Sequence, residues 1–253
     1  MSGEFWLPFP QIQPEETLFG WSVAYSRVAA VPEPREVSRR LCGHPTAILR
    51  HDFPCRLDEL CHRVENQFGT AEELIERHTL LPFYSPFLAR ETYEAAVAAM
   101  RTGRRLHLRA LLGLSSARMG VDAPLKACPE CMADDVKTRH RAIWHRDHQW
   151  PTTFLCFRHG IRLWIARPEF HLSRQLPLLA PNELSEDDWI AEVDHEDQLV
   201  RSGLDLLNRW TRAFVSQEPC RLLGPALREA YALGARELGW LALDGSIRMR
   251  GLR

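Results

Sequence analysis

Apolar residues recur every three or four positions through much of the chain, which is the spacing of helices that bury one face. The first such set precedes Pro32 and consists of Leu18, Trp21, Tyr25 and Val28. Pro14 and the two glutamates after it are typical of a first helical turn, because proline lacks the amide donor and carboxylates favour the positive end of the helix dipole. We therefore expect a helix between Pro14 and Pro32.

Helical patterning continues beyond this helix. Thr70 followed three residues later by Glu73 is a capping box, which predicts the start of a helix that Pro82 closes. Further helical stretches are predicted at 35–68, with breaks near Gly43 and Pro54, at 91–101 and at 106–119. Residues 1–122 are therefore expected to form an N-terminal helical domain.

Residues 123–170 have a different pattern. Three short runs rich in aromatic and β-branched residues replace the helical spacing and predict short strands, at 143–144, 152–157 and 161–165. Residues 171–197 are rich in acids and contain prolines, which indicates a linker. Helical spacing returns in a C-terminal helical domain, residues 198–253, and the apolar members of its first helix are Val200, Leu207, Trp210 and Phe214.

The cysteines predict a metal site. There are seven, an odd number at uneven spacing, which argues against a disulfide framework. Cys128 and Cys131 form a C-x-x-C knuckle, and Cys156 and His159 form a C-x-x-H knuckle. The two-residue spacers let both side chains of a pair reach one ion, and three thiolates with one imidazole suit tetrahedral Zn²⁺. Gly160 supplies the backbone freedom that a chain often needs after a knuckle.

We expect one structural zinc ion per chain, because four protein ligands leave no position for water or substrate. The alternative interpretation is four unrelated core residues. A second set of potential ligands matches no common zinc spacing and is expected in the core or at the surface: Cys42, His44, Cys55, Cys61 and His62. The fold class that follows is mostly helical, with a small zinc-stapled, β-rich module that resembles a zinc ribbon.

The segment from Trp144 to Pro151 is dense in polar side chains. His145, Asp147 and His148 could perform general acid–base chemistry, but the sequence places no nucleophile or phosphate-binding glycine loop beside them. Packing between the zinc module and the helices, or contact with a nucleic-acid or protein partner, are the other interpretations. We expect that the protein is not an enzyme.

The composition is that of a soluble globular protein, with 253 residues, 45% of them apolar and 26% charged. No apolar stretch approaches the roughly 18–20 residues of a membrane span, and the acidic, proline-rich N-terminus lacks the features of a signal peptide. These properties exclude collagen, a coiled coil and a secreted disulfide scaffold. They predict a cytoplasmic protein without membrane contact.

The formal net charge is only −1, but its distribution is uneven. Residues 101–126 carry six basic side chains against one acid, whereas residues 183–197 carry eight acids and no lysine or arginine. A basic block can hold phosphate, and an acidic block repels it. Both blocks could equally be solvated faces of helices and linkers.

Three stretches of the sequence together resemble the TniQ/TnsD family of transposon target-selection proteins. They read LPFPQIQPEETLFGWSVAYSRV, HTLLPFYSPFLARETYEAAVAAM, and CPECMADD followed by AIWHRDHQWPTTFLCFRHGIRLW. The last is the most specific, because it combines both knuckles with a W-H-R-x-H-Q run. The central stretch is closer to the TnsD branch, whose members select a fixed chromosomal site, than to the short adaptors.

The resemblance implies a protein without chemistry of its own that recognises a transposition target at the nucleoid, in the bacterial cytoplasm. Such proteins read target DNA directly or meet an RNA-guided complex on DNA, and they recruit an AAA+ ATPase regulator. We rank direct site selection first. The expected partners are target DNA and the AAA+ ATPase, with a CRISPR effector complex and a second copy of the chain, in a homodimer, as further candidates.

TnsD-like proteins are typically much longer than this chain. Residues 238–253 resemble the beginning of a helix-turn-helix unit, so the helical flanks of the zinc module are expected to be helix-turn-helix-like. The chain is then either a compact family member or part of a longer protein.

Eight residues are candidates for contact with DNA. Five basic side chains are suited to holding phosphates: Arg101, Arg104, Arg105, Arg109 and Lys126. Three near the knuckles could contact the backbone or a base edge, unless they pack inside the protein: His145, Arg146 and His148. The aromatic start of the chain is a candidate docking arm for a protein partner, with packing on its own core as the alternative: Phe5, Trp6 and Phe9.

Overall fold

The computed structural model describes residues 9–103, 108–114, 124–167, 178–190 and 198–222, with a few single positions between 224 and 236. Within these ranges the chain is mostly helical and contains one small three-stranded antiparallel sheet, as the expected fold class requires. None of the helices in this part of the chain is both long and apolar enough to cross a membrane.

Seven helices precede residue 115 in the described ranges. They are α1 (Leu18–Val28), α2 (Pro34–Cys42), α3 (Leu57–Arg63), α4 (Ala71–His78), α5 (Leu81–Tyr84), α6 (Arg90–Thr102) and α7 (Leu108–Leu111), with a 3₁₀ turn at Ser85–Phe87. The predicted break near Gly43 falls where α2 ends, in a left-handed cap with a φ of 67°. Glycine adopts this conformation without strain, so it ends the helix.

Helix α1 begins one turn later than the sequence pattern predicts. The Thr17 hydroxyl accepts a hydrogen bond from the Gly20 amide at 3.1 Å and caps the helix, while Pro14 lies in the preceding turn. A threonine side chain supplies the acceptor that the first free amides need, and proline does not. The cap therefore decides where the helix starts.

The predicted capping box of α4 is confirmed. The Glu73 amide donates to the Thr70 hydroxyl at 3.2 Å, and the Thr70 amide donates to Glu73 Oε2 at 2.8 Å. Two amides that would otherwise lack partners at the helix start are satisfied in this way.

One hydrophobic core joins the N-terminal helices to the region of the predicted zinc module. Trp21 of α1 is 1% exposed, and Trp144, from the polar-dense segment, is equally buried. Trp144 packs against Trp189 with ring centroids 6.2 Å apart, and all three indoles belong to the same cluster of buried side chains. One core therefore extends across the domain boundary predicted near residue 122, and the three cysteines of the knuckles belong to a smaller cluster of buried residues beside it.

The zinc-module region contains two helices and the small sheet. Its elements are β1 (Lys126–Ala127), α8 (Pro129–Arg139), α9 (Arg146–Gln149) and β2 (Trp164–Ala166), and β3 (Trp189–Ile190), from the predicted linker, completes the sheet. The strands lie in the order β1-β2-β3, and Ile165 pairs with Lys126 on one side and Ile190 on the other. The region is less β-rich than expected, because Cys128 and Pro129 start an eleven-residue helix that apolar spacing did not reveal.

Part of the predicted acidic linker is packed into the fold. Trp189 belongs to β3 and is 6% exposed, Leu178 is buried in the core, and Glu183 binds Arg27 of α1 at 2.8 Å. Residues 178–190 therefore complete the sheet and the core, because two apolar side chains anchor an otherwise acidic segment. The rest of the predicted linker lies outside the described residues.

A long helix, α10 (Gln198–Val215), lies across the zinc-module region. Asn208 donates to the Leu155 carbonyl at 2.8 Å, and the ring centroids of Phe214 and Phe87 are 5.1 Å apart. The predicted apolar face of this helix is only partly buried, since Trp210 is 49% exposed. The helix-turn-helix-like tail predicted at 238–253 lies outside the described residues.

Candidate metal centre

The side chains of both predicted knuckles meet between the start of α8 and the turn before β2. All three cysteines, Cys128, Cys131 and Cys156, are buried, and the ring of His159 completes the group. The four ligand atoms lie within 4.8 Å of one another. Among the residues that the structure describes, no other histidine, cysteine or carboxylate group is arranged in this way, so the second candidate set forms no metal site there.

The distances between ligand atoms fit tetrahedral zinc. Nδ1 of His159 lies 3.5 Å from Cys128 Sγ, 3.4 Å from Cys131 Sγ and 3.6 Å from Cys156 Sγ, and the last two sulfurs are 3.6 Å apart. Zn–S bonds of about 2.3 Å and a Zn–N bond of about 2 Å give tetrahedral edges of about 3.6 Å for S···N and about 3.8 Å for S···S. The residues present therefore fit zinc in type, number and spacing.

Local backbone geometry holds each knuckle. Cys128 caps α8, and its Sγ accepts a hydrogen bond from the Cys131 amide at 3.5 Å. In the second knuckle the His159 amide donates to Cys156 Sγ at 3.4 Å. Gly160 follows with a φ of 65°, which is the backbone freedom that the sequence predicted at this position.

The electrostatics of the cluster favour a thiolate at Cys156 and protonated thiols at Cys128 and Cys131, whose pKa values are raised. The start of α8 places its positive dipole end at Cys128. Hydrogen bonds from the Cys128 and Cys131 thiols lower the pKa of Cys156. Zinc binds thiolates, so a bound ion would displace the remaining thiol protons. Metal retention would therefore decrease as the pH is lowered.

Two side chains approach the ligands from outside. Asp134 Oδ2 lies 3.4 Å from His159 Nε2, the nitrogen opposite the ligand atom, where a carboxylate fixes the tautomer and orientation of the ring. His148 is 2% exposed, and its Nε2 lies 3.9 Å from Cys131 Sγ. No local sequence pattern singles out Asp134, although it lies in the CPECMADD stretch beside the first knuckle.

The chain that builds this centre matches a known family. The TniQ family model covers residues 7–163, which include both knuckles. The chain belongs to the TniQ family. It is also similar to the transposon Tn7 transposition protein TnsD of Escherichia coli, with 24% identity over 181 residues, or 71% of this chain and 35% of that protein. The chain thus spans about a third of the length of this curated relative.

In this TniQ chain Lys126 is not at the surface, which corrects the expectation that it holds a phosphate. The side chain is 3% exposed, and its Nζ donates to the carbonyls of Trp150 and Thr153 at 2.6 and 2.7 Å. Burial lowers the pKa of Lys126 to about 7. Strand pairing in β1 places this residue inside the module, where the two carbonyls satisfy its ammonium group.

His145 and His148 are likewise buried, which corrects the expectation that they contact DNA directly. Their burial favours the interpretation that both side chains pack inside the protein. His145 Nε2 lies 2.8 Å from Asp135 Oδ2, and Arg139 binds the other carboxylate oxygen. Burial opposes the ionised forms, but this hydrogen bond and the attraction of nearby opposite charges together outweigh it, so the pKa of His145 is raised and that of Asp135 is lowered. His148 packs beside the metal cluster.

The predicted basic block is partly neutralised by carboxylates. Arg101 pairs with Asp58 at 2.9 Å and with Glu72 at 2.5 Å, and Arg109 pairs with the buried Asp52 at 2.7 Å. As DNA contacts, Arg101 and Arg109 stay predictions. Two members of the block lie outside the described residues: Arg104 and Arg105.

The remaining candidates make contacts within the protein. The guanidinium of Arg146 donates to the Glu76 carbonyl and lies 5.7 Å from the ring centroid of Trp150. Phe9 stacks on Tyr25 of α1 with ring centroids 5.7 Å apart, which favours core packing over a docking arm for this residue. Phe5 and Trp6 lie outside the described residues.

Proposed function

We propose that the protein selects target sites for transposition: it binds target DNA and recruits an AAA+ ATPase regulator, and it catalyses no reaction itself. The observation that carries the proposal is the match of the TniQ family model to residues 7–163, the part of the chain that holds most of the core and the Cys₃His cluster. Similarity to TnsD, which is named a transposition protein, supports the same role.

The Cys₃His cluster has a structural part in this proposal. Four ligands fill the coordination of one Zn²⁺, so the ion contributes folding free energy rather than a reactive position. The cluster ties α8 to the turn at Cys156–Gly160, and α10 contacts this turn. Zinc would thereby fix the relative positions of the elements that meet DNA or a partner.

The first experiment is a binding selection from a random duplex library with the zinc-loaded protein at physiological salt. We expect an enriched sequence motif that bulk DNA competes for only weakly. A second assay mixes the protein, the selected duplex and the AAA+ ATPase of its transposon, and we expect a complex that contains all three. Absence of the ATPase from this complex would contradict the recruitment part alone.

A second candidate is an adaptor that joins an RNA-guided CRISPR effector complex to the AAA+ regulator and has little DNA specificity of its own. The observation that favours it is the burial of Lys126, His145 and His148, which removes three candidate DNA contacts from the surface. This candidate predicts no enriched motif in the selection, together with a stable complex between the protein and the effector.

A further inference from the structure

Helix α10 carries three exposed arginines and one aspartate, Asp205, so its charge is positive between residues 201 and 212. Arg201, Arg209 and Arg212 are exposed, and none of the three forms an ion pair with a carboxylate in the described part of the chain. Arg101 and Arg109 differ in this respect, since carboxylates pair with both. We call the three residues of α10 the arginine face.

The second zinc knuckle orients two members of the arginine face. Arg201 donates to the Gly160 carbonyl at 3.2 Å, and Arg212 donates to the Phe157 carbonyl at 3.0 Å. Arg212 also lies over the Phe157 ring, 4.4 Å from its centroid, which adds a cation–π contact. A guanidinium has five donors, so each arginine keeps most of them for a ligand.

Beside these contacts, a cavity of about 450 Å³ lies between α10 and the knuckle, and Arg209 and Arg212 line it. Asn208, 8% exposed, also lines this cavity. Its Nδ2 donates to Leu155, and its Oδ1 has no hydrogen-bond partner among the described residues. Asp205 is the one acid in the described lining, so the positive side chains outweigh it. A sugar–phosphate chain with bridging water offers anionic oxygens to the arginines and a donor to the amide oxygen.

We propose that the arginine face and the Cys156–Gly160 knuckle hold the phosphate backbone of duplex DNA. This assignment rests on the proposed role of the protein in binding target DNA. Arg201 and Arg212 are eleven residues apart. This separation is about 16 Å along a helix axis and matches about five base-pair steps. The face can therefore follow two or three phosphates of one strand. Contacts of this kind set the register of a protein on DNA and read no base.

The test measures affinity for a random-sequence duplex as a function of salt, with the zinc-loaded chain and a variant carrying Arg201→Gln, Arg209→Gln and Arg212→Gln. The slope of log K against log salt is negative, and each lost phosphate contact reduces its magnitude by about 0.9, so we expect the magnitude to fall by about 2 to 3. Arg209 forms no hydrogen bond or ion pair with the residues that the structure describes, and the single variant Arg209→Gln should reduce the magnitude of the slope by about 1. Melting curves establish that both variants fold.

The matched control removes the same charge elsewhere, through Arg39→Gln, Arg40→Gln and Arg63→Gln on α2 and α3, and should keep the wild-type slope. Wild-type binding with an unchanged slope in the α10 variants would overturn this assignment and leave the proposed function intact. An equal decrease of the slope's magnitude in the control variant would mean that only net charge matters, and it would also overturn the assignment. A wild-type chain that binds no duplex at about 50 mM salt would overturn both, as would a clear preference for RNA over duplex DNA.

Discussion

Both carboxylate oxygens of Glu16 accept hydrogen bonds from the guanidinium group of Arg141, at 2.5 and 2.7 Å, and Glu16 is completely buried. The Glu16 carbonyl also accepts a hydrogen bond from His78 Nδ1 at 2.7 Å, and the adjacent Thr17 amide donates to the Trp144 carbonyl at 3.0 Å. Glu16, His78 and Trp144 come from the three stretches that carry the family resemblance. These stretches therefore meet at one point in the fold.

We expect Arg141→Met to destabilise the protein strongly, because it leaves the buried carboxylate of Glu16 without its counter-charge. The free energy of unfolding should fall by about 3–5 kcal/mol. Urea denaturation of the zinc-loaded protein measures it. The control is Arg77→Met, since Arg77 is 66% exposed and lies 3.7 Å from Glu73, so its loss should cost less than about 1 kcal/mol. Equal effects of the two changes would contradict the importance of the Glu16 contact.

The wild-type chain should contain one zinc ion, and Cys131→Ala should abolish its retention. Structural zinc contributes on the order of 10 kcal/mol to folding, so the variant should fail to reach the native state. Metal analysis by mass spectrometry and circular dichroism measure the two effects. Cys55→Ala, which changes a cysteine outside the cluster, should keep the metal. Well under one zinc ion per wild-type chain, or a native-like Cys131→Ala protein, would refute the structural role.

His148 should help to hold the metal without binding it. Its ring nitrogen faces the Cys131 sulfur at 3.9 Å, and groups that contact metal ligands in this way contribute about 10- to 100-fold in affinity. At this distance we expect His148→Leu to weaken zinc binding by about 10-fold, and His148→Gln, which retains an N–H donor, to weaken it less. Competition with a chromophoric chelator measures the affinity. The exposed His62→Leu is the control, and a His148→Leu affinity equal to the control would exclude this role.

The sequence was sufficient for features that depend on neighbouring residues. The spacing of Cys128 and Cys131, like that of Cys156 and His159, allowed a knuckle to be predicted, because a two-residue spacer brings the two ligands of a pair together. Thr70 and Glu73 likewise form their capping box within one helical turn. Such signals are complete within four residues, so packing elsewhere in the molecule does not alter them.

Features set by distant contacts were not predictable in the same way. Lys126 appeared as part of a basic block, but the pairing of β1 with β2 carries it into the interior. The importance of Glu16 depends on Arg141, 125 residues away. No local sequence pattern distinguishes Arg201 and Arg212. They are neighbours of Gly160 and Phe157 only because α10 contacts the second knuckle.

His78 predicts a specific loss of stability in mild acid. Burial lowers the pKa of His78 to about 4, and the nearby guanidinium groups of Arg146 and Arg77 act in the same direction. The unfolded chain has an ordinary histidine pKa of about 6.5, so it takes up a proton that the folded chain resists. The contribution of His78 to stability is therefore complete above the unfolded-state pKa of about 6.5, and it is lost as the pH falls from about 6.5 to about 4.

The comparison of wild type with His78→Asn isolates this contribution, because an asparagine amide can donate to the Glu16 carbonyl and does not titrate. Between pH 7 and pH 5 the free energy of unfolding of the wild type should fall by about 2 kcal/mol more than that of the variant. Every other titrating group, including the zinc ligands, is common to both proteins and cancels in the difference. Parallel pH profiles for the two proteins would show that His78 is protonated as readily in the folded chain as in the unfolded one.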